Sequence, residues 1–167
     1  MKKHAQRFGT EFLSTFVTSV DLSSRLFKII CENGKEFSTQ SVIISTGASA
    51  KYLGLPSEQK YLEMGGGVSA CAVCDGFFYK GQETIIVGAG DSACEEAHYL
   101  SKLCTKVTML VRKDEFRASK IMAARVQKTA NIEIMYNTDT VEVLGDGMGV
   151  TGARVKNNKT GEVKDIP

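Results

Sequence analysis

The pattern of apolar and polar positions divides the chain into a strand-rich first third and a remainder in which strands alternate with helices. Alternation and short apolar runs in the first third are typical of β-strands, and Asn33-Gly34 between two such runs predicts a hairpin turn. Because no helix is predicted there, we expect residues 1–55 to be a β-rich piece of a larger domain. The predicted strands cover residues 11–20, 26–31, 35–39 and, as a buried strand, 42–44.

Beyond the glycine run 65–67 the spacing changes to strand–helix alternation, and residues 141–164 return to short strands with glycine turns. Ser92 and Glu95 fit the capping box that marks a helix start. This order predicts an α/β fold for residues 56–167, a Rossmann-like βαβ nucleotide-binding domain that lacks its last parallel strand. The predicted strands are residues 84–87, 106–111 and 132–135, and the predicted helices are residues 92–102 and 119–129.

Composition narrows the class of protein without identifying it. The chain has 167 residues, 43% of them hydrophobic and 24% charged, as in an ordinary soluble globular protein. A net charge of +2 gives no reason to expect nucleic acid or an anionic membrane as partner. No apolar run approaches the roughly 20 residues that span a bilayer, and no apolar segment follows the basic start. We therefore expect a cytoplasmic protein.

The five cysteines fall into two groups. Cys31, Cys94 and Cys104 lie in apolar stretches and are predicted to be packed as small hydrophobic residues. Cys71 and Cys74 form the one close pair. A structural zinc site needs four ligands, usually two such pairs, and neither histidine completes a second pair, so we expect no metal site.

Residues 88–93, Gly-Ala-Gly-Asp-Ser-Ala, match a dinucleotide fingerprint that follows a predicted strand and opens a predicted helix. Gly88 permits the tight turn, Gly90 lets a pyrophosphate approach, and Ala93 allows close helix–strand packing. The helix N-terminus offers free N–H groups to phosphates. The alternative is a glycine turn that binds nothing. The predicted cofactor-binding residues of this loop are Gly88, Gly90, Asp91, Ser92 and Ala93.

The end of the next predicted strand discriminates between nucleotides. Sites selective for NAD usually place an acid there, whereas Arg112, Lys113 and Arg117 suit the dianionic 2′-phosphate of NADPH. Asp114 is in a position to compete with the phosphate. The alternative is a solvated charged loop, and the charges favour NADPH over NADH.

Cys71 and Cys74 are placed to cycle between disulfide and dithiol, and the adjacent Asp75 is a candidate proton donor and acceptor. Asp75 is also a candidate helix cap beside Gly76, and the two interpretations are compatible. A dithiol and a dinucleotide loop on one chain indicate electron transfer between a nucleotide and a disulfide. A flavin is the usual intermediary, but the chain has only one glycine fingerprint.

Three ordered segments, residues 46–56, 67–79 and 112–119, resemble low-molecular-weight bacterial thioredoxin reductases, which are class II pyridine nucleotide-disulfide oxidoreductases. The resemblance implies an FAD- and NADPH-dependent homodimer that reduces the disulfide of thioredoxin. It implies that residues 1–55 are part of an FAD-binding domain and residues 56–167 most of an NADPH-binding domain. By the same resemblance Cys71 and Cys74 are the redox pair and Asp75 is the acid. It also implies that NADPH is bound by Gly88, Gly90, Ser92, Arg112, Lys113 and Arg117. It further implies that FAD lies beside Thr46, Gly47 and Ala48.

The chain also departs from that family. Its N-terminal FAD fingerprint and C-terminal Gly-Asp flavin segment are absent, so we expect a chain truncated at both ends that holds little FAD and has little activity alone. Lys113 replaces a frequent arginine and Val111 a frequent histidine, changes that leave the NADPH preference intact. Two alternatives stay open: the reductase of a peroxiredoxin system, which carries an extra redox domain upstream, and a non-catalytic NADPH-binding module with an idle dithiol.

Overall fold

The computed structural model describes all 167 residues as two compact units, Met1–Ala48 and Ser49–Pro167. The first unit is a three-stranded antiparallel sheet in the order β1-β2-β3, preceded by a short helix. The predicted turn is confirmed: Gly34 has a φ of +77°, and the Lys35 N–H donates to Asn33 Oδ1 at 3.1 Å. Cys31 is the only buried residue of this unit. Its elements are α1 (Lys2–Gln6), β1 (Val17–Asp21), β2 (Phe27–Cys31) and β3 (Glu36–Thr39).

Two expectations for this unit are wrong. The predicted strand at residues 11–20 is formed only from Val17 onward, and residues 2–6 form a helix that the pattern did not predict. The run 42–44 forms no strand, and Ile43 is 92% exposed. A strand persists only where its backbone groups pair with a neighbouring strand. No strand of the chain pairs with residues 11–16 or with residues 42–44. Apolar character alone did not decide these elements.

The second unit is built on a parallel sheet in the order β4-β5-β6. Its strands are joined by two helices, which form the predicted βαβαβ unit. Val87 pairs with Leu110 and Leu110 with Met135, so the three strands run in register to one edge. The elements are β4 (Glu83–Val87), α4 (Asp91–Leu100), β5 (Lys106–Val111), α5 (Lys120–Gln127) and β6 (Ile132–Tyr136).

The parallel sheet is covered on both faces. From the central strand β5, Val107 and Met109 pack with Ala97 of α4 and Val126 of α5, whereas Leu110 packs with Val155 of a second sheet. Each of the fully buried valine, methionine and leucine side chains stabilises the fold by about 1.5–3 kcal/mol. The second sheet is antiparallel and consists of β7 (Thr138–Gly145), β8 (Val150–Asn157) and β9 (Val163–Ile166).

Short helices precede the parallel sheet within the same unit. Glu58, on the first of them, is buried, and its carboxylate accepts the Leu53 and Gly54 N–H groups at 3.0 and 2.8 Å, which anchors the preceding segment. No helix of the chain is long and apolar enough to span a membrane. The elements are α2 (Pro56–Glu63), α3 (Ala72–Asp75) and a 3₁₀ turn (Gly76–Tyr79).

The predicted capping box at the start of α4 is wrong. The helix begins at Asp91 with Gly90 as its N-cap and has no side-chain cap, so Ser92 lies two residues beyond the capping position, inside the helix. Asp91 instead accepts the N–H and the hydroxyl of Ser119, each at 2.9 Å. Because Ser119 precedes α5, this contact ties the starts of the two helices together.

Candidate dithiol and nucleotide site

Cys71 and Cys74 form a disulfide with their Cα atoms 5.3 Å apart. Cys71 is the N-cap of α3, and one helical turn brings Cys74 back beside it. The Cys74 N–H donates to Cys71 Sγ at 3.3 Å. Cys74 is exposed and Cys71 half-buried, so the pair is accessible from one side. The other three cysteines are free and buried, as predicted.

The dithiol turn packs closely on α4. Gly76, directly after α3, is buried, and a Cβ there would lie 2.7 Å from a Leu100 methyl carbon. A side chain at this position would therefore require the Leu100 side chain to shift. On the outer side Val73, Phe77 and Phe78 are exposed, so the disulfide is flanked by an apolar surface.

Ser69 connects Asp75 to the dithiol backbone. Its hydroxyl donates to Asp75 Oδ2 at 2.5 Å and accepts the Cys71 N–H at 3.0 Å. Asp75 makes no side-chain cap to the following 3₁₀ turn, so the capping interpretation is not supported. The pattern analysis missed Ser69, although a serine two residues before a helix N-cap is a common partner for local backbone groups.

The glycine loop connects β4 to α4 with the predicted geometry. Gly88 has a φ of +145°, and a Cβ there would lie 3.0 Å from the Ala93 side chain, which explains both residues. A Cβ at Gly90 would lie 3.3 Å from the Arg117 guanidinium. The N–H groups of Asp91, Ser92 and Ala93 find no acceptor in the protein. The loop therefore fits a pyrophosphate, which would take these donors.

The three predicted cations are distributed around this loop. Arg117 lines the cleft next to Gly90. Its backbone N–H donates to Ala89 O at 2.9 Å, which holds Arg117 beside the loop. Arg112 and Lys113 are exposed directly after β5 and do not line the cleft. The predicted competitor Asp114 pairs with Lys159 Nζ at 3.1 Å, and this hydrogen bond is the main cause that lowers its pKa.

Two neighbouring cavities join the loop to the dithiol. A cleft of about 1070 Å³ is lined by the glycine loop, Arg117 and the residues before the dithiol, a volume suited to a dinucleotide. A second cavity of about 330 Å³ is lined by Cys71 and Asp75. Ser69 and Glu96 line both cavities. The glycine loop and the disulfide thus line neighbouring cavities that share residues within one compact unit.

Thr46, Gly47 and Ala48 lie at the end of the first unit and are all exposed, with Gly47 at a φ of +82°. Their predicted place beside FAD stays a prediction.

Known proteins similar to this chain match it along nearly its whole length. The family model described as pyridine nucleotide-disulphide oxidoreductase matches residues 2–166. The thioredoxin reductase of Eremothecium gossypii is 48% identical over 100% of this chain and 53% of its own length. That of Vibrio cholerae is 48% identical over 99% of this chain and 52% of its own length. The solved thioredoxin reductase of Giardia duodenalis aligns with a TM-score of 0.80 at 43% identity, covering 99% of this chain and 53% of that one. The chain spans about half the length of the relatives it matches.

Proposed function

The chain belongs to the pyridine nucleotide-disulphide oxidoreductase family, and on this premise we propose that it is the dithiol- and nucleotide-bearing part of an NADPH-dependent thioredoxin reductase. The family and the relatives imply FAD and NADPH as cofactors of the whole protein. The observation that carries the proposal is the Cys71–Cys74 disulfide, whose cavity shares Ser69 and Glu96 with the cleft of the glycine loop. We further propose that the protein acts as a homodimer in the cytoplasm.

The dithiol exchanges electrons with the substrate. Bound FAD would supply the two-electron chemistry that connects the hydride of NADPH to the disulfide. The Cys71–Cys74 bond accepts two electrons and two protons and becomes two thiols. One thiolate attacks the substrate disulfide to form a mixed disulfide, and the second attacks that bond, releases the substrate dithiol and restores Cys71–Cys74. Asp75 gives and takes the protons, held at the dithiol by Ser69.

The cofactors are assigned to different parts of the chain. Residues 56–167 bind NADPH, with its pyrophosphate at Gly88, Gly90 and the start of α4. Its 2′-phosphate lies towards Arg112, Lys113 and Arg117. Residues 1–55 belong to the FAD-binding domain, with Thr46 to Ala48 beside FAD. Support comes from the free N–H groups of Asp91, Ser92 and Ala93 and from Arg117 in the cleft.

The substrate is proposed to dock where the disulfide is accessible. Cys74 is exposed, and the apolar side chains of Val73, Phe77 and Phe78 surround that access. A small protein with an accessible disulfide and an apolar rim, such as thioredoxin, suits this surface because contact buries apolar area on both partners.

The decisive experiment uses the whole protein that contains this chain, assayed for NADPH oxidation with thioredoxin. Cys71→Ser and Cys74→Ser are each expected to abolish disulfide reduction, because either change prevents the internal disulfide. Cys31→Ala, at a buried free cysteine, serves as the control and keeps the activity. A whole protein that binds NADPH but shows no dithiol-dependent reduction would instead support the non-catalytic module.

The nucleotide preference is tested separately on the 167-residue chain. NADPH is expected to bind more tightly than NADH, and Arg112→Ala with Arg117→Ala is expected to remove most of the difference. A preference that survives the double substitution would contradict the assignment of the 2′-phosphate to these residues.

A further inference from the structure

The loop after β5 carries an acid among the cations that are proposed to hold the 2′-phosphate. Four exposed charged residues follow one another here: Arg112, Lys113, Asp114 and Glu115. A free carboxylate close to a dianionic phosphate repels it, and the repulsion extends over about a Debye length, roughly 8 Å at physiological salt. Asp114 therefore opposes the binding for which its neighbours are suited unless its charge is offset.

The turn between β8 and β9 supplies the offsetting charge. Lys159 Nζ donates to Asp114 Oδ2 at 3.1 Å. The pKa of Asp114 lies below its ordinary value, first because of this hydrogen bond and more weakly because of the charge of Lys113. Lys113 and Lys159 thus act on the same carboxylate from two different elements. Glu115 makes no ion pair, so Lys159 offsets one of the two acids in this stretch.

Hydrogen bonds fix the backbone of the turn on both sides of Lys159. Asn157 Oδ1 accepts the N–H groups of Lys159 at 2.9 Å and Thr160 at 3.0 Å. The Gly161 N–H donates to Asn157 O at 2.8 Å, and Gly161 takes a φ of +77°, which favours glycine. These bonds close the turn and hold Lys159 in one position along it.

The turn is also attached to the loop. Asn158 Nδ2 donates to Arg112 O at 2.7 Å and to Asp139 Oδ2 at 3.1 Å. The Asn158 N–H donates to Asn137 O at 2.8 Å, and the Asn137 N–H donates to Lys113 O at 3.0 Å. The carbonyls of Arg112 and Lys113, two of the three proposed phosphate-binding residues, are therefore held by residues that directly adjoin the strands of the second sheet.

We propose that Lys159 is a determinant of nucleotide specificity, which neutralises Asp114 so that Arg112, Lys113 and Arg117 present a more strongly positive surface to the 2′-phosphate. This role of Lys159 rests on the proposed NADPH site. Lys159 lies outside the three segments that resemble thioredoxin reductases. NADH has no 2′-phosphate, so its affinity does not depend on this pairing. Lys159 acts through Asp114 and is a positioning and charge-balancing residue.

The test measures the dissociation constants of NADPH and NADH for the full 167-residue chain by calorimetric titration at low salt. Lys159→Gln is expected to raise the NADPH constant about two- to fivefold and to leave the NADH constant unchanged. Lys159→Arg keeps the charge and is expected to bind both nucleotides as the unaltered chain does. Lys128→Gln, at an exposed lysine without an ion pair, is the matched control for charge alone.

A second substitution identifies the acid through which Lys159 acts. Asp114→Asn combined with Lys159→Gln is expected to restore the NADPH affinity, because no carboxylate is left to be offset. The effect of Lys159→Gln is also expected to shrink as salt is raised. Both side chains are more than half exposed, so the ion pair contributes little to folding and the variants stay folded.

Three results would overturn the inference: an equal loss for NADPH and NADH, no restoration by Asp114→Asn, or the same loss in Lys128→Gln. If the unaltered chain binds NADPH and NADH equally, the proposed 2′-phosphate site fails together with this inference. A normal preference that Lys159→Gln does not alter refutes the inference alone and leaves the proposed site intact.

Discussion

The two compact units use apolar side chains in opposite ways. In Met1–Ala48 only Cys31 is buried, while Phe8, Phe16, Ile43 and Ile44 are each more than 70% exposed. In Ser49–Pro167 apolar side chains fill both faces of a parallel sheet. All four ion pairs of the chain also lie in the second unit.

A hydrophobic pattern therefore predicts an element reliably only where the chain also supplies what the element packs against. The β-rich unit has the alternation of a sheet but no second layer, whereas the second unit has three layers and the cavities that form between them. The candidate chemistry lies in the unit with the buried core, because a rigid scaffold is what holds a loop and a disulfide in place.

The largest expected effect tests whether nucleotide binding belongs to the second unit alone. Gly90→Val is expected to weaken NADPH binding at least about 100-fold, because its side chain would occupy the space that the pyrophosphate needs beside the loop and would crowd the Arg117 guanidinium. Ser38→Val, at an exposed strand position of the first unit, is the control and is expected to leave NADPH binding unchanged. Fluorescence titration of NADPH compares the two, and an equal loss in both would contradict the division.

The second effect concerns the two kinds of packing. Val107→Ala is expected to lower the free energy of unfolding by about 2–3 kcal/mol, because it removes methyl groups from a fully buried position. Val17→Ala, at a half-exposed position of the first unit, is expected to cost about 0.5 kcal/mol or less. Urea unfolding followed by circular dichroism provides both values. Similar costs at the two positions would mean that the first unit is better packed than its exposure indicates.

The third effect concerns the exposed apolar surface of the first unit. Phe16→Lys combined with Ile43→Lys is expected to reduce self-association of the chain by about tenfold in concentration, because both side chains face water. Ile121→Lys, at an isolated exposed residue of the second unit, is the control and is expected to change little. Sedimentation velocity over a concentration series measures the shift. Self-association that persists in the double variant would locate its cause elsewhere.

The smallest effect depends on pH and on the second unit's ion pairs. Arg154 donates to Asp165 at 2.8 and 2.9 Å and lowers the pKa of Asp165 below its ordinary value of 3.8. Since the folded pKa is the lower one, the stability from this pair is fully present above pH 3.8 and is lost as pH falls through the lowered value.

Asp165→Asn should therefore lower the melting temperature slightly at pH 7, and less than Val107→Ala does, because the pair is half exposed. The two melting curves are expected to converge as the pH falls well below 3.8. A constant difference at every pH would show that the substitution acts through packing and not through charge.

Much of the second unit was predictable because its signals are local. The strand at 106–111 and the helix before it follow from short β-branched runs and helical spacing, and the fold class follows from their alternation. The fingerprint identified the loop, because Gly88 and Gly90 are needed for backbone conformation and close approach. The Cys71–Cys74 disulfide was predictable because two residues between cysteines on one helical turn place the sulfur atoms together.

Other features depended on distant parts of the chain. The run 42–44 has the composition of a buried strand, but composition does not reveal whether a partner strand is present. Asp91 binds Ser119 from another helix, so the local capping box was not formed. Ile121 is apolar but exposed, because the orientation of α5 turns Met122 and Val126 to the core.

The family, the dithiol and the glycine loop follow from the sequence alone, because each is encoded in residues close together along the chain. Only the tertiary structure decided that Ser69 holds Asp75, that Ser69 and Glu96 line both cavities, and that Lys159 pairs with Asp114. Asp114 and Lys159 are 45 residues apart, and their contact exists because the second sheet packs beside the end of β5. Local spacing specifies which groups are present, and the packing of layers specifies which of them meet.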